Sequence, residues 1–331
     1  MSLLLAEMIL RMTIGLWISS PQNIKLEPAG QFFIKKHNTL GYTNKPGEFK
    51  VTLPSGCSFR ATNLFNGSRI THPLNTYPAM TRKKIWIFGC SFTYGWSLNN
   101  EQTYPWLLQE KLKDYEVVNF GVMGYSNLQS LIQFREALEK WNKPDLVIIN
   151  YAAFQDVRNT GTRYWIERMR TSAGYYLRSI KVPFMRFMKN NKPEIIYMPW
   201  ESHLGYLARY SALANYLDSI YNSLLDDTDY NSHEISKVII KEFSDLCKIK
   251  GITLVIAGIG LNSDYQTTEM LDYFNKQGVL TADISLPSGI KENKNLPCDT
   301  HPSAIANKQF EQKIEMFLCG KKLIDGPPCS H

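Results

Sequence analysis

Three side chains in this sequence have the types and order of an acyl-transfer triad. Ser91 sits in Gly89-Cys90-Ser91-Phe92-Thr93-Tyr94-Gly95, directly after the apolar run Ile85-Trp86-Ile87-Phe88. A serine between glycines at the end of a buried strand is a common way to present a nucleophile, because the glycines permit the tight turn. Near the other end of the chain, Asp299-Thr300-His301-Pro302-Ser303 supplies a base and a carboxylate to orient it, in the order Ser, Asp, His. Taken singly, a serine after a strand is usually a turn or helix cap, and a His-Pro is usually a helix start; only the combination points to chemistry.

Such residues need a rigid frame, and the pattern from Lys83 onward provides one. Strands are expected at 85–88, 117–122, 146–151, 253–259 and 281–284. Helices are expected at 103–113, 127–141, 235–249, 267–276 and 302–317. The continuous apolar run 146–151 fits a parallel strand covered on both faces. Repeated βα units imply an α/β domain built on a doubly wound parallel sheet flanked by helices, over residues 81–320. Ser91, Gly124 and Gln155 each fall just past a strand end, where such folds gather their functional groups.

The blocks around these residues resemble those of the SGNH, or GDSL-type, hydrolase superfamily, over roughly residues 83–158 and 252–318. The first block appears as Gly89 to Gly95. The second is Asn119-Phe120-Gly121-Val122-Met123-Gly124-Tyr125-Ser126, the third Ala153-Phe154-Gln155-Asp156, and the last Asp299-Thr300-His301-Pro302. The resemblance implies a three-layer, flavodoxin-like fold. It also implies Ser91 as nucleophile, His301 as base, Asp299 as its partner, and an oxyanion hole from the Ser91 and Gly124 N–H groups and the Gln155 amide. No metal or organic cofactor is expected, and no metal-ligand spacing is visible.

The chain departs from the family pattern at three points. Cys90 stands where the family usually has Asp. Gln155 replaces the usual Asn, moving the amide by roughly 1.5 Å; either the loop is set back or the hole has only its two backbone donors. Asp299 lies two residues before His301 rather than three, with Cys298 at the three-residue position; in an extended segment it still faces the ring. Cys90 and Cys298 each adjoin a triad residue, and two readings stay open, a bond in an oxidising compartment or two buried free thiols. Cys90 as a thiol nucleophile is disfavoured because it should point away from the face of Ser91. Asp156 is expected to cap a turn beside Arg158.

The remaining segments are less specific. Residues 1–20 are apolar but carry Glu7 and Arg11; they read as the remnant of a membrane anchor or as an amphipathic helix. Residues 21–80 read as a small β-rich extension, with turns at Pro46-Gly47, Pro54-Ser55-Gly56 and Asn66-Gly67, whose simplest role is to cover a sheet edge. An insertion at 160–232 is rich in aromatic and basic residues, Tyr175, Tyr176 and Arg178 among them, and reads as a helical cap over the active-site mouth, a solvated helical appendage, or a segment lying on a membrane surface. Residues 321–331 form a tail. The 331 residues carry a net charge of +7, too mild over this length to indicate nucleic acid as a partner, and the six scattered cysteines form neither a scaffold nor a zinc pattern.

The expected activity is hydrolysis of a small acyl ester, such as an O-acetyl group on a carbohydrate or cell-surface glycan. Acetyl transfer to a polysaccharide and non-catalytic glycan binding are the alternatives. The expected location is periplasmic or membrane-anchored and extracytoplasmic.

Overall fold

The computed structural model describes residues 2–13, 24–29, 33–76, 83–172, 180–200, 205–262 and 264–325. The chain divides into two compact units, one of residues 24–35, 43–155 and 236–331, the other of residues 1–23, 36–42 and 156–235.

The first, larger unit holds all the candidate catalytic residues. Its strands are β1 Lys25–Glu27, β2 Gly47–Thr52, β3 Ser58–Asn63, β4 Lys83–Phe88, β5 Tyr115–Asn119, β6 Leu146–Tyr151, β7 Thr253–Gly258 and β8 Leu280–Asp283. Its helices are α1 Ser91–Tyr94, α2 Tyr104–Lys111, α3 Asn127–Lys140, α4 Ser232–Lys250, α5 Tyr265–Asn275 and α6 Ala304–Gly320; the first residues of α4 belong to the other unit. The central sheet has five parallel strands in the order β8-β7-β6-β4-β5. The chain starts at β4, steps out to β5, then reverses past β4 to β6. This order puts a topological switch point between β4 and β6, where open α/β sheets leave a crevice at the carboxyl ends of their strands.

Alternation along β4 explains the layers. Ile85 and Ile87 face one side and pack with Tyr104 and Leu108 of α2 and Phe310, Ile314 and Leu318 of α6. Trp86 and Phe88 face the other, where Phe88 stacks on Phe120 and meets Phe134 of α3 and Phe243 of α4. β6 is buried at all six positions, which is why its sequence has no polar alternation.

The segment before β4 forms an antiparallel sheet, β1-β2-β3. Beyond β3 the chain runs beside β5, the sheet's outer strand: Arg69 N–H donates to Asn119 O and the Thr71 hydroxyl to Val117 O. The backbone groups of β5 that would otherwise be bare are partly paired in this way. The apolar face of the small sheet, with Phe49, Val51, Phe59 and Ala61, packs on Phe33, Tyr94 and Trp96.

The second unit contains helices Ser2–Thr13, Asp156–Thr160, Arg163–Ser172 and Ala212–Asp229 and an antiparallel hairpin, Val182–Phe187 with Pro193–Met198. The insertion is therefore mixed rather than wholly helical. The hairpin turns at Asn190-Asn191, with Asn191 at φ +60°, a conformation asparagine tolerates. Glu7 lies at the start of helix Ala212–Asp229. Its carboxylate accepts from the Ser211 hydroxyl and from Ala212 and Leu213 N–H, and these bonds lower its pKa to about 2. Among the described residues no helix is long and apolar enough to cross a membrane. Met1 and residues 14–20 of the expected anchor, Tyr175, Tyr176 and Arg178 of the insertion, and residues 326–331 of the tail lie outside the described residues.

Candidate active site

β4 ends at Phe88, and the chain turns at once into α1. At Gly89 a Cβ would sit 2.1 Å from the Thr93 hydroxyl and 3.0 Å from Asn150 Cβ, so no larger residue fits this turn. Cys90 is the N-cap of α1 and is 1% exposed; its thiol makes no capping hydrogen bond. Other groups order this loop. The Thr93 hydroxyl accepts from Asn150 Nδ2 at 2.7 Å, Asn119 Nδ2 donates to Thr93 O at 3.0 Å, and the Asn150 amide also bonds the Tyr104 hydroxyl.

The other end of α1 is held by an unexpected residue. Arg69 is 1% exposed and, among the described residues, has no carboxylate within ion-pair distance. Its guanidinium donates five hydrogen bonds: to the carbonyls of Tyr94, Gly95, Leu98 and Arg60 and to Asn100 Oδ1. It also lies 4.6 Å from the centre of the Tyr94 ring. Burial lowers its pKa, with the nearby Tyr94 and Glu101 opposing the shift. Four carbonyl dipoles, those of Tyr94 and Gly95 at the C-terminal end of α1 with those of Leu98 and Arg60, provide the negative potential that a buried cation requires.

Ser91, set at the start of α1, presents its hydroxyl 3.1 Å from His301 Nε2. Nδ1 of the same ring lies 3.1 Å from Asp299 Oδ2. The two-residue spacing is accommodated because Asp299 Oδ1 also accepts the His301 backbone N–H at 2.9 Å, closing a tight local turn. Ser97 adds a fourth member: its hydroxyl donates to Asp299 Oδ1 at 3.0 Å. Burial works to raise the Asp299 pKa. The bond to His301, the charge of that ring, the backbone N–H and the Ser97 hydroxyl outweigh it and hold the carboxyl below its ordinary value.

Gly124 and Gln155 follow β5 and β6, the two neighbours of β4. Since Ile87 pairs with Asn119 and Phe88 with Ile149, all three loops leave the same edge of the sheet. The β5 loop is tied to the nucleophile turn by Val122 N–H donating to Gly89 O. Gly124 has φ +72°, a left-handed conformation that favours glycine. Gln155 is 1% exposed; its Oε1 accepts Ala152 N–H at 3.0 Å, while its Nε2 is buried without a partner among the described residues. An unmet buried donor costs about 1–3 kcal/mol and calls for an explanation. Asp156 accepts from His233 Nδ1 at 2.8 Å, and Arg158 lies over the Trp165 ring at 4.5 Å.

Beside the base is an aromatic wall that the sequence patterns did not single out. Phe92 lies 5.8 Å from the His301 ring and 5.4 Å from Phe154, which is 36% exposed. These are the residues next to Ser91 and Gln155, so their placement follows from the turns that carry those two.

The Cys90–Cys298 bridge does not form. Cys298 is bonded instead to Cys57, with a Cα separation of 5.5 Å, and Cys90 is a buried free thiol. The turn at 53–57 carries Cys57 to the loop before His301, where the Ser55 hydroxyl also donates to Cys298 O. Pairings among six cysteines do not follow from spacing, which left Cys57 unmarked.

No family model matches the chain, and no curated protein matches it. It is similar to several solved structures. One is a lipolytic protein of the G-D-S-L family from Desulfitobacterium hafniense DCB-2, at 15% identity and a TM-score of 0.43, covering 72% of this chain and 100% of that one. Another is an acetyl xylan esterase from the rumen bacterium Butyrivibrio proteoclasticus, at 14% identity and 0.38, covering 75% and 66%. A third is a family two carbohydrate esterase from Clostridium thermocellum, at 11% identity and 0.40, covering 77% and 67%.

Proposed function

We propose that this chain is a serine acyl hydrolase acting on small acyl esters, with Ser91 as nucleophile. The observation that carries the reading is the continuous hydrogen-bond line from Asp299 through His301 to the Ser91 hydroxyl. In the proposed reaction Ser91 Oγ attacks the ester carbonyl while His301 Nε2 takes its proton. The same nitrogen then returns the proton to the departing alcohol, leaving an acyl-Ser91. Water, deprotonated by His301, releases the acid and restores the hydroxyl. Asp299 holds the Nδ1–H tautomer and offsets the charge of the imidazolium. The oxyanion is received by the Ser91 and Gly124 N–H groups, and the unmet Gln155 Nε2–H is the third donor; each such donor is worth about 3 kcal/mol in the transition state. The Phe92–Phe154 wall offers an apolar face to the acyl group or to the flat side of a sugar ring, which makes an O-acetylated carbohydrate the favoured substrate class. The Cys57–Cys298 bond and the oxidised state of Cys319 support an extracytoplasmic location.

Labelling with a fluorophosphonate probe tests the reading: the intact protein should react, and Ser91→Ala should not. Absence of labelling in the intact protein would exclude a working nucleophile and favour glycan binding without catalysis. Among reactive samples, free acetate as the product separates hydrolysis from transfer to an added glycan.

A further inference from the structure

Ser97 has a backbone conformation that a serine adopts only at a cost. Its φ is +65°, in the left-handed region that favours glycine, and its side chain is buried. The turn is imposed from below, because Arg69 holds the carbonyls of Gly95 and Leu98 on either side of it. A side chain kept at such a position implies that the hydroxyl has a use.

The hydrogen inventory identifies that use. Asn295 Nδ2 has two protons. One goes to Ser97 O at 2.9 Å and the other to Ser97 Oγ at 3.0 Å. Having accepted one hydrogen bond, Ser97 Oγ has a single proton to give, and Asp299 Oδ1 receives it at 3.0 Å. Asn295 is itself fixed within the same loop, its N–H donating to His301 O and its carbonyl accepting Asp299 N–H. The direction of every bond from Asn295 to Asp299 is thus determined. Asp299 Oδ1 is filled by Ser97 and the His301 N–H, which leaves Oδ2 for His301 Nδ1 alone.

We infer that Ser97 is a positioning residue for the proposed triad, fixing the Asp299 carboxylate so that one oxygen faces His301, with Asn295 setting the direction of its hydroxyl. The inference rests on the hydrolase reading for its kinetic consequence and on geometry alone for its effect on His301. It also accounts for the short Asp-x-His spacing: an aspartate on so tight a turn is steadied by a partner from the nucleophile side of the site.

Ser97→Gly is the informative variant, since glycine accepts the left-handed turn and removes only the hydroxyl. With 4-nitrophenyl acetate as substrate, kcat should fall about tenfold, as for loss of a hydrogen bond to a charged group. KM should stay within about twofold and Tm should be unchanged or higher. Ser97→Asn, which tolerates the turn and carries an amide donor, should recover part of the loss. In proton NMR the His301 Nδ1–H, identified by its absence in His301→Ala, should move or broaden in Ser97→Gly. A resonance and a kcat both unchanged in Ser97→Gly, or a loss confined to KM, would overturn the assignment. If the wild-type protein shows no turnover, the hydrolase reading falls while the resonance still decides the role of Ser97: a change supports it and an unchanged signal sinks it.

Discussion

The nucleophile turn and the histidine loop meet at one hydrogen bond, yet they are held by different means. Gly89 to Gly95 is set in the core: Cys90, Ser91, Thr93 and Tyr94 are buried, their backbone is gripped by Asn119 and the buried Arg69, and the Thr93 hydroxyl is held by Asn150. Asn293 to Ser303 runs over the surface, with Lys294, Leu296, Pro297 and Thr300 exposed. It is fastened by cross-links, namely the Cys57–Cys298 bond, the Ser55 contact and the Ser97–Asn295–Asp299 network. A nucleophile on a strand end takes its precision from packing, which is dense and local. A base on a long loop has little to pack against and takes its precision from discrete bonds.

The contrast predicts separable failures. Arg69→Met should give the largest loss of stability. It takes the guanidinium donor from the buried carbonyls of Tyr94, Gly95 and Leu98, of which Gly95 O keeps Leu98 N–H, and at about 1–3 kcal/mol for each unmet group the cost is on the order of 4 kcal/mol. Urea unfolding should show the shift, and a change under about 1 kcal/mol would mean that packing alone holds the turn. Cys57→Ser should cost less, about 3 kcal/mol for a native disulfide, but its effect should be concentrated on the loop. Hydrogen exchange should rise across 293–303 and not across 89–95, and kcat should fall with KM little changed. Uniform exchange over both segments would show that the two sides are not held separately.

Much of this site could be read from the chain because packing leaves periodic traces. The strand Leu146–Tyr151 has the bounds its apolar run indicates, and the helices after β4 and β5 begin and end within a few residues of their patterns. Ser91, Asp299 and His301 come together as their order suggests. The cross-links left no such trace. Arg69 is a charged residue in a polar stretch and would ordinarily be solvated; only the tertiary fold brings four carbonyls around it. Ser97 and Asn295 are nearly 200 residues apart, and neither has a neighbour that marks it. Pro183 and Pro193 weaken the strand signal of the hairpin in the insertion, although Asn190-Asn191 between its two runs is a turn signal.

The smallest expected effect concerns pH, and it falls on the histidine side alone. Glu311 lies on α6, the helix that opens just after His301, and its Oε1 is buried without a partner among the described residues. Burial, reinforced by the charge of Glu315, raises its pKa to about 7, with Lys111 opposing. Because the folded-state value is raised, the unfolded chain ionises first as pH rises. Stability is full below the ordinary carboxyl range near 4.5 and declines until about pH 7, where the folded form also ionises. The loss by pH 8 is at most about 3 kcal/mol. Glu311→Gln removes the titration, so it should raise Tm at pH 8, leave it nearly unchanged at pH 4.5, and flatten the curve between. Calorimetry across that range decides the point, and equal Tm differences at both pH values would show that Glu311 does not titrate in the window. The buried Arg69 guanidinium behind the nucleophile turn stays protonated across this range and adds no slope of its own.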